Sequence, residues 1–148
     1  METTHLTIKE NISNVEITDL LKRHGITSTL QRVEIAQIML SRKCHYSAEQ
    51  VLEKVNRGRS IVSKATIYNT LRLFAEKGIV KEIFADPAKV YYEPKVSGHH
   101  HFFNEDTGDL TDIEPGQMTV SGIPASPAGT EVEGVDIIIR VRKLDVSR

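Results

Sequence analysis

SKATIYNTLRLFAEKGIV, residues 63–80, is bounded at both ends by signals that a helix needs. Ser63 has the short hydroxyl side chain that caps a helix N-terminus, and Gly78 is the residue that most easily takes the left-handed turn that ends one. Between them Ile67, Leu71 and Phe74 recur at helical spacing and define a buried face. Lys64, Tyr68 and Arg72 follow one another at intervals of four and share a different face, with Asn69 beside them and Thr66 in the first turn. The second face is therefore basic, aromatic and amide-bearing at once.

Toward the N-terminus the same period recurs. Val15 to His24 has a helical pattern that stops at Gly25, and Thr29 can cap a second helix reaching about Arg42, with Val33, Ala36 and Leu40 inward. Ser47-Ala48-Glu49-Gln50 has the form of a capping box and opens a third helix whose inner face is Ala48, Val51, Leu52 and Val55. Residues 1–13 are expected to be a polar, mobile arm. Toward the C-terminus, Ile79 to Phe84 and Val90 to Tyr92 are expected to be strands, joined by the turn residues Ala85 to Lys89. Helices followed by a hairpin make the outline of a winged helix-turn-helix over residues 14–96.

A helix that enters a DNA groove needs cations for phosphates and a few side chains for base edges. Lys64 and Arg72 suit phosphate, Asn69 suits adenine, and Tyr68 can pack on a thymine methyl or bond to phosphate. The competing account is an ordinary solvated face, which describes most amphipathic helices that carry two basic residues.

Charge is distributed in a way that bears on this. Residues 14–96 hold fourteen Lys and Arg against nine Asp and Glu, whereas residues 97–148 hold four against nine, so a net charge of -1 hides a basic part and an acidic part. A basic part suits a polyanion and an acidic part suits a cation; chance and solvated surface would give the same counts. The length of 148 residues allows one domain or two small ones. A single cysteine, Cys44, permits no internal disulfide and no thiolate zinc knuckle, and fits a reducing compartment. No apolar run reaches membrane length and no signal-peptide pattern opens the chain, so a cytoplasmic protein is expected.

Residues 97–148 change character. SGHHHFFNEDTGDLTDI, residues 97–113, places three histidines ahead of an acid- and glycine-rich turn. If they lie on a strand, His100 faces away from His99 and His101, and some of the three need only hydrogen-bond. Prolines 115, 124 and 127 break up residues 114–134, and Val135 to Lys143 is expected to be a strand that is apolar on both faces. Such a strand needs cover on both sides, which a second copy of the chain can supply, so a homodimer is expected.

TLQR at 29–32, HYSAEQVL at 45–52, SKATIYNTLRLFAEKGIV at 63–80 and the histidines near 100 together resemble the ferric uptake regulator family, over residues 16–113. HHHFFNEDTGDLTDI followed by TEVEGVDIIIRVRK resembles its iron response regulator branch. The resemblance implies an α+β fold, with an N-terminal winged helix-turn-helix and a small α/β dimerisation domain over residues 97–148. It implies that the helix bearing Tyr68 reads double-stranded operator DNA, with Lys64, Thr66, Asn69, Arg72 and Arg32 as further contacts. It also implies an inter-domain regulatory metal site on His45, Glu93, His100 and Asp112. Two imidazoles and two carboxylates suit Fe(II) or Mn(II), with Zn(II) as a surrogate. His99 and His101 are candidates for a second metal site or for ligating haem, and Cys44 is a lone thiol that packs or ligates.

The chain departs from the family pattern at several positions. In the family's usual His-His-Asp-His the third position is His101 and the fourth Phe102; Phe103 to Thr107 stand where a first cysteine pair would lie, so no structural four-cysteine zinc is expected; and Thr27 replaces a basic residue. The reading is a dimeric regulator of iron or haem homeostasis and not an enzyme. A manganese-, zinc- or peroxide-sensing relative is the alternative. A small metallohydrolase is remote, because no nucleophile or general base accompanies the histidines.

Overall fold

The computed structural model describes residues 6, 8–58, 61–96 and 99–145. The chain divides into two compact units, Met1–Ser97 and Gly98–Arg148.

The first unit carries α1 (Asn14–Arg23), α2 (Leu30–Leu40), β1 (Tyr46–Ser47), α3 (Ala48–Asn56), α4 (Lys64–Glu76), β2 (Val80–Asp86) and β3 (Lys89–Pro94). Side-chain oxygens of Ser13, Thr29, Ser47 and Ser63 each accept from the backbone N–H three residues on, so every helix opens on a capped turn. Ser13 with Glu16 and Ser47 with Gln50 complete capping boxes. Gly25 follows α1 at φ +72°, which a side chain would strain.

The apolar faces pack as the periodicity predicts. Ile17 and Leu21 of α1, Ile35, Met39 and Leu40 of α2, Val51 of α3 and Ile67, Leu71 and Phe74 of α4 are fully buried. Each large side chain so buried stabilises the fold by roughly 1.5–3 kcal/mol before chain entropy is counted. The sheet order is β1-β3-β2, all antiparallel, and β2 with β3 forms the wing hairpin, closed by Asp86 accepting from the N–H of Ala88 at 2.8 Å. The hairpin strands run longer than the apolar residues alone predicted, because backbone pairing continues through Lys81–Glu93 and Asp86–Lys89.

Leu6 and Ile12, in the stretch expected to be a mobile arm, are buried in this core. The N–H of Lys9 donates to Leu40 O and Gln37 Nε2 donates to Ile12 O at 2.9 Å. Two apolar side chains and these bonds outweigh the polar composition around them. Residues 1–5 and 7 of that arm lie outside the described residues.

The second unit carries β4 (His100–Asn104), β5 (Leu110–Ile113) and β6 (Ile138–Val141), in the order β5-β4-β6. β5 is antiparallel to β4 and β6 parallel to it. The strand expected from Val135 is shorter, starting at Ile138, because pairing with β4 begins at His101–Ile138. Its apolar residues stay open: Val135, Ile139 and Val141 are each more than a third exposed. No helix among the described residues is long and apolar enough to cross a membrane.

Candidate functional site

β4 is a strand, and its period of two sorts the histidines. His101 and Phe103 are buried on one face, while His100 and Phe102 occupy the other. His99, two residues before His101, shares the His101 face. In the antiparallel register His101 stands opposite Asp112 of β5, so Asp112 projects to that face as well. Its Oδ1 lies 3.0 Å from His99 Nε2 and 3.4 Å from His101 Nε2, and the two rings are 4.7 Å apart. These three residues each offer one ligand atom within 4.8 Å of the others.

His100 goes elsewhere. Its Nδ1 accepts the backbone N–H of Ile137 at 3.1 Å, which leaves the proton on Nε2 in the neutral ring. The expected grouping of His100 with Asp112 is therefore replaced by His99 and His101 with Asp112. The reason is alternation: a side chain one residue from His101 cannot reach the face that Asp112 occupies.

The first unit carries a second, smaller set. β1 pairs with β3 through Tyr46–Tyr92, and the same antiparallel register continued by one residue puts His45 opposite Glu93. His45 Nε2 lies 3.2 Å from Glu93 Oε2. Glu93 is 4 % exposed, a buried carboxylate whose desolvation demands a cation or hydrogen-bond donors. No sequence signal marked the two-residue β1, yet it is what places His45.

Cys44 is buried beside this pair, with Sγ 3.6 Å from Met39 O. Burial pushes its thiol up to about 12. The side chain packs as a small apolar group.

α4 presents the expected outer face. Lys64, Tyr68, Asn69 and Arg72 are exposed, opposite the buried Ile67, Thr70, Leu71 and Phe74. Thr66 is held at the cap, where its hydroxyl accepts from Ser63 Oγ at 2.9 Å. Arg72 pairs with Glu76 at 3.6 Å, and Arg32 Nη1 donates to Thr27 O at 2.9 Å, so Thr27 holds the arginine by its backbone. Lys64 Nζ lies 5.8 Å from the centre of the Tyr68 ring.

One acid on this face escaped the sequence reading. The Tyr68 hydroxyl donates to the carboxylate of Glu49, in the first turn of α3. That bond, aided by Lys64 and Lys89, holds the Glu49 carboxyl below the usual carboxylate range, and the same bond pushes the Tyr68 phenol up to about 12. Nineteen residues separate the two, so no local pattern links them.

Comparison with known proteins places the chain. Residues 23–133 match the model of the ferric uptake regulator family. The chain is 30% identical over 118 residues to the peroxide operon regulator of Bacillus subtilis, covering 79% of this chain and 81% of that protein. It is 31% identical over 98 residues to the peroxide-responsive repressor PerR of Staphylococcus aureus, covering 66% of each. Among solved structures, the ferric uptake regulator of Pseudomonas aeruginosa with manganese superposes with a TM-score of 0.66 at 25% identity, covering 86% of this chain and 98% of that one. The chain belongs to the ferric uptake regulator family, a family of metal-responsive transcription regulators and not of enzymes.

Proposed function

We propose that this member of the ferric uptake regulator family binds a duplex DNA operator as a homodimer, and that a divalent metal ion held in the second unit by His99, His101 and Asp112 sets whether it binds. The observation that carries the reading is the approach of two imidazole nitrogens, His99 Nε2 and His101 Nε2, to one oxygen of Asp112. Imidazole and carboxylate donors fit Fe(II), Mn(II) or Zn(II) and lack the thiolates of a soft-metal site. His99, His101 and Asp112 would hold that ion, and His45 with Glu93 form a separate candidate donor pair within the first unit. Bound there, a metal ion supplies bonds that favour one mutual arrangement of its ligands over others. Lys64, Asn69, Arg72 and Tyr68 then meet DNA with a geometry that the site selects.

The half-exposed Val135, Ile139 and Val141 support the homodimer, since a second copy would cover them. A DNA-binding regulator works in the cytoplasm, with the chromosome.

Iron is the proposed physiological signal and iron-related genes the proposed targets, on the resemblance of residues 99–113 and 130–143 to the iron response regulator branch. Haem at His99 and His101 is the second reading; it uses the same two imidazoles and so competes with the ion. Peroxide is the other rival, favoured by the two curated relatives named above.

Operator affinity of metal-free protein and of protein with Fe(II), Mn(II) or haem, with and without peroxide, separates them. An affinity that changes with Fe(II) and not with peroxide supports the iron reading. A change with haem alone, or loss of DNA only on peroxide treatment of the Fe(II) form, supports a rival. Identical affinity in every state removes metal control altogether.

A further inference from the structure

Tyr68 is the most exposed aromatic residue of α4, and its hydroxyl proton is already committed to Glu49. A phenol has one O–H to give and lone pairs to accept with. With the proton held by a carboxylate, the hydroxyl oxygen meets a ligand as an acceptor. Guanine presents only acceptors, N7 and O6, on the major-groove edge, and thymine presents the O4 acceptor and a methyl group; adenine and cytosine present amino donors. Phosphate oxygens are acceptors too.

Three further features support a fixed Tyr68–Glu49 unit. Glu49 sits in the first turn of α3, where the helix N-terminus favours negative charge. Lys64, over the Tyr68 ring, and Lys89, at the wing, are the cations that favour the ionised carboxylate. The helix that carries Tyr68 is itself anchored by the buried Ile67 and Leu71.

We infer that Glu49 is a specificity-determining positioning residue: by taking the Tyr68 proton it makes Tyr68 a hydrogen-bond acceptor and a thymine-methyl contact, selecting adenine, cytosine or thymine and rejecting guanine at one operator position. The inference rests on the proposal that α4 reads DNA. It adds that the acid on α3, which makes the basic face locally less attractive to phosphate, is there to set the polarity of the reader.

The test is a base-by-base binding profile of an operator with the full-length dimer, scored as the affinity ratio for the four bases at each position. Glu49→Ala frees the Tyr68 proton, so guanine at the Tyr68 position gains on adenine and cytosine by roughly three- to tenfold, the worth of one hydrogen bond. Glu49→Gln keeps an acceptor at the same reach and restores the parent ratios, while binding random DNA more tightly because a negative charge has gone. Tyr68→Phe removes the hydroxyl and so flattens the ratio of adenine and cytosine to guanine at that same position, while the ring keeps its contact with a thymine methyl. Random-DNA affinity alone would rise on any loss of charge, so the base ratios are the deciding readout. Unchanged base ratios in Glu49→Ala, alongside a flattened profile in Tyr68→Phe, overturn the role of Glu49 and leave the reader standing. An unchanged profile in Tyr68→Phe and Tyr68→Ala overturns both.

Discussion

The two units differ in how they are held together. The first encloses its own core: Phe74, Leu71, Ile67 and their neighbours from four helices and β2 are fully buried within it. In the second, Phe103 and Ile113 are buried on short strands while Val135, Ile139, Val141 and Leu144 stay exposed. Among its described residues the most buried polar group is His101, which pairs with Asp112. A unit with a complete core can present a rigid helix face. A unit with little core of its own gains more of its stability from whatever binds it, which is what the proposed metal ion and second copy would do.

Truncating each unit's main buried aromatic residue tests this contrast most severely. Phe74→Ala should destabilise the first unit by roughly 3–5 kcal/mol, because it leaves a cavity among side chains that cannot collapse into it. Phe103→Ala should cost clearly less, since Ile113 is the one other apolar side chain buried among the described residues of that unit. Urea unfolding of both variants at one protein concentration measures this, and equal losses would break the comparison.

Metal affinity sharpens it next. Asp112→Ala should weaken Mn(II) binding by about a hundredfold or more, since it removes a donor that two imidazoles face. His100→Ala should leave affinity within a few-fold of the parent, because that ring is bonded to Ile137. Calorimetry on both variants decides, and the reverse order would return the site to His100.

A smaller effect is expected on association. Ile139→Asp puts a charge on the exposed strand face and should weaken the proposed dimer by on the order of tenfold or more. Sedimentation over a concentration series reads it; an unchanged dimer would mean that the second copy covers some other surface.

The smallest effect concerns pH in the first unit. The Glu49 carboxyl lies below its ordinary 4.5 because Tyr68 donates to it. A depressed carboxyl contributes stability above its unfolded value, and the contribution is lost as pH falls through the lower folded value. Thermal melting of the parent and Glu49→Gln should therefore differ at about pH 6 and converge as the pH falls well below 4.5. The contribution is small because the carboxylate is exposed and screened.

Much of the first unit was legible in the sequence because its determinants are local. Ser47 and Ser63 cap the next turn, Gly25 ends one, and Ile67, Leu71 and Phe74 lie within two turns of each other, so each is decided by neighbours a few residues away. The alternation that sets His100 against His99 and His101 was legible too. Which side of that strand Asp112 faces was not, since it depends on Asp112 arriving opposite His101 in the β4–β5 register. The resemblance had selected His100.

By itself, then, the sequence determined the helices, their caps, the exposed basic face of α4 and the donor types. Their energies come from contacts over one or two turns, which a linear pattern records. Tertiary structure alone decided that His45 meets Glu93 through a two-residue strand, that Asp112 faces His99 and His101, and that Tyr68 gives its proton to Glu49. Each of these joins residues brought together by strand register or helix packing, and a shift of one residue in a strand would turn every such side chain to the other face.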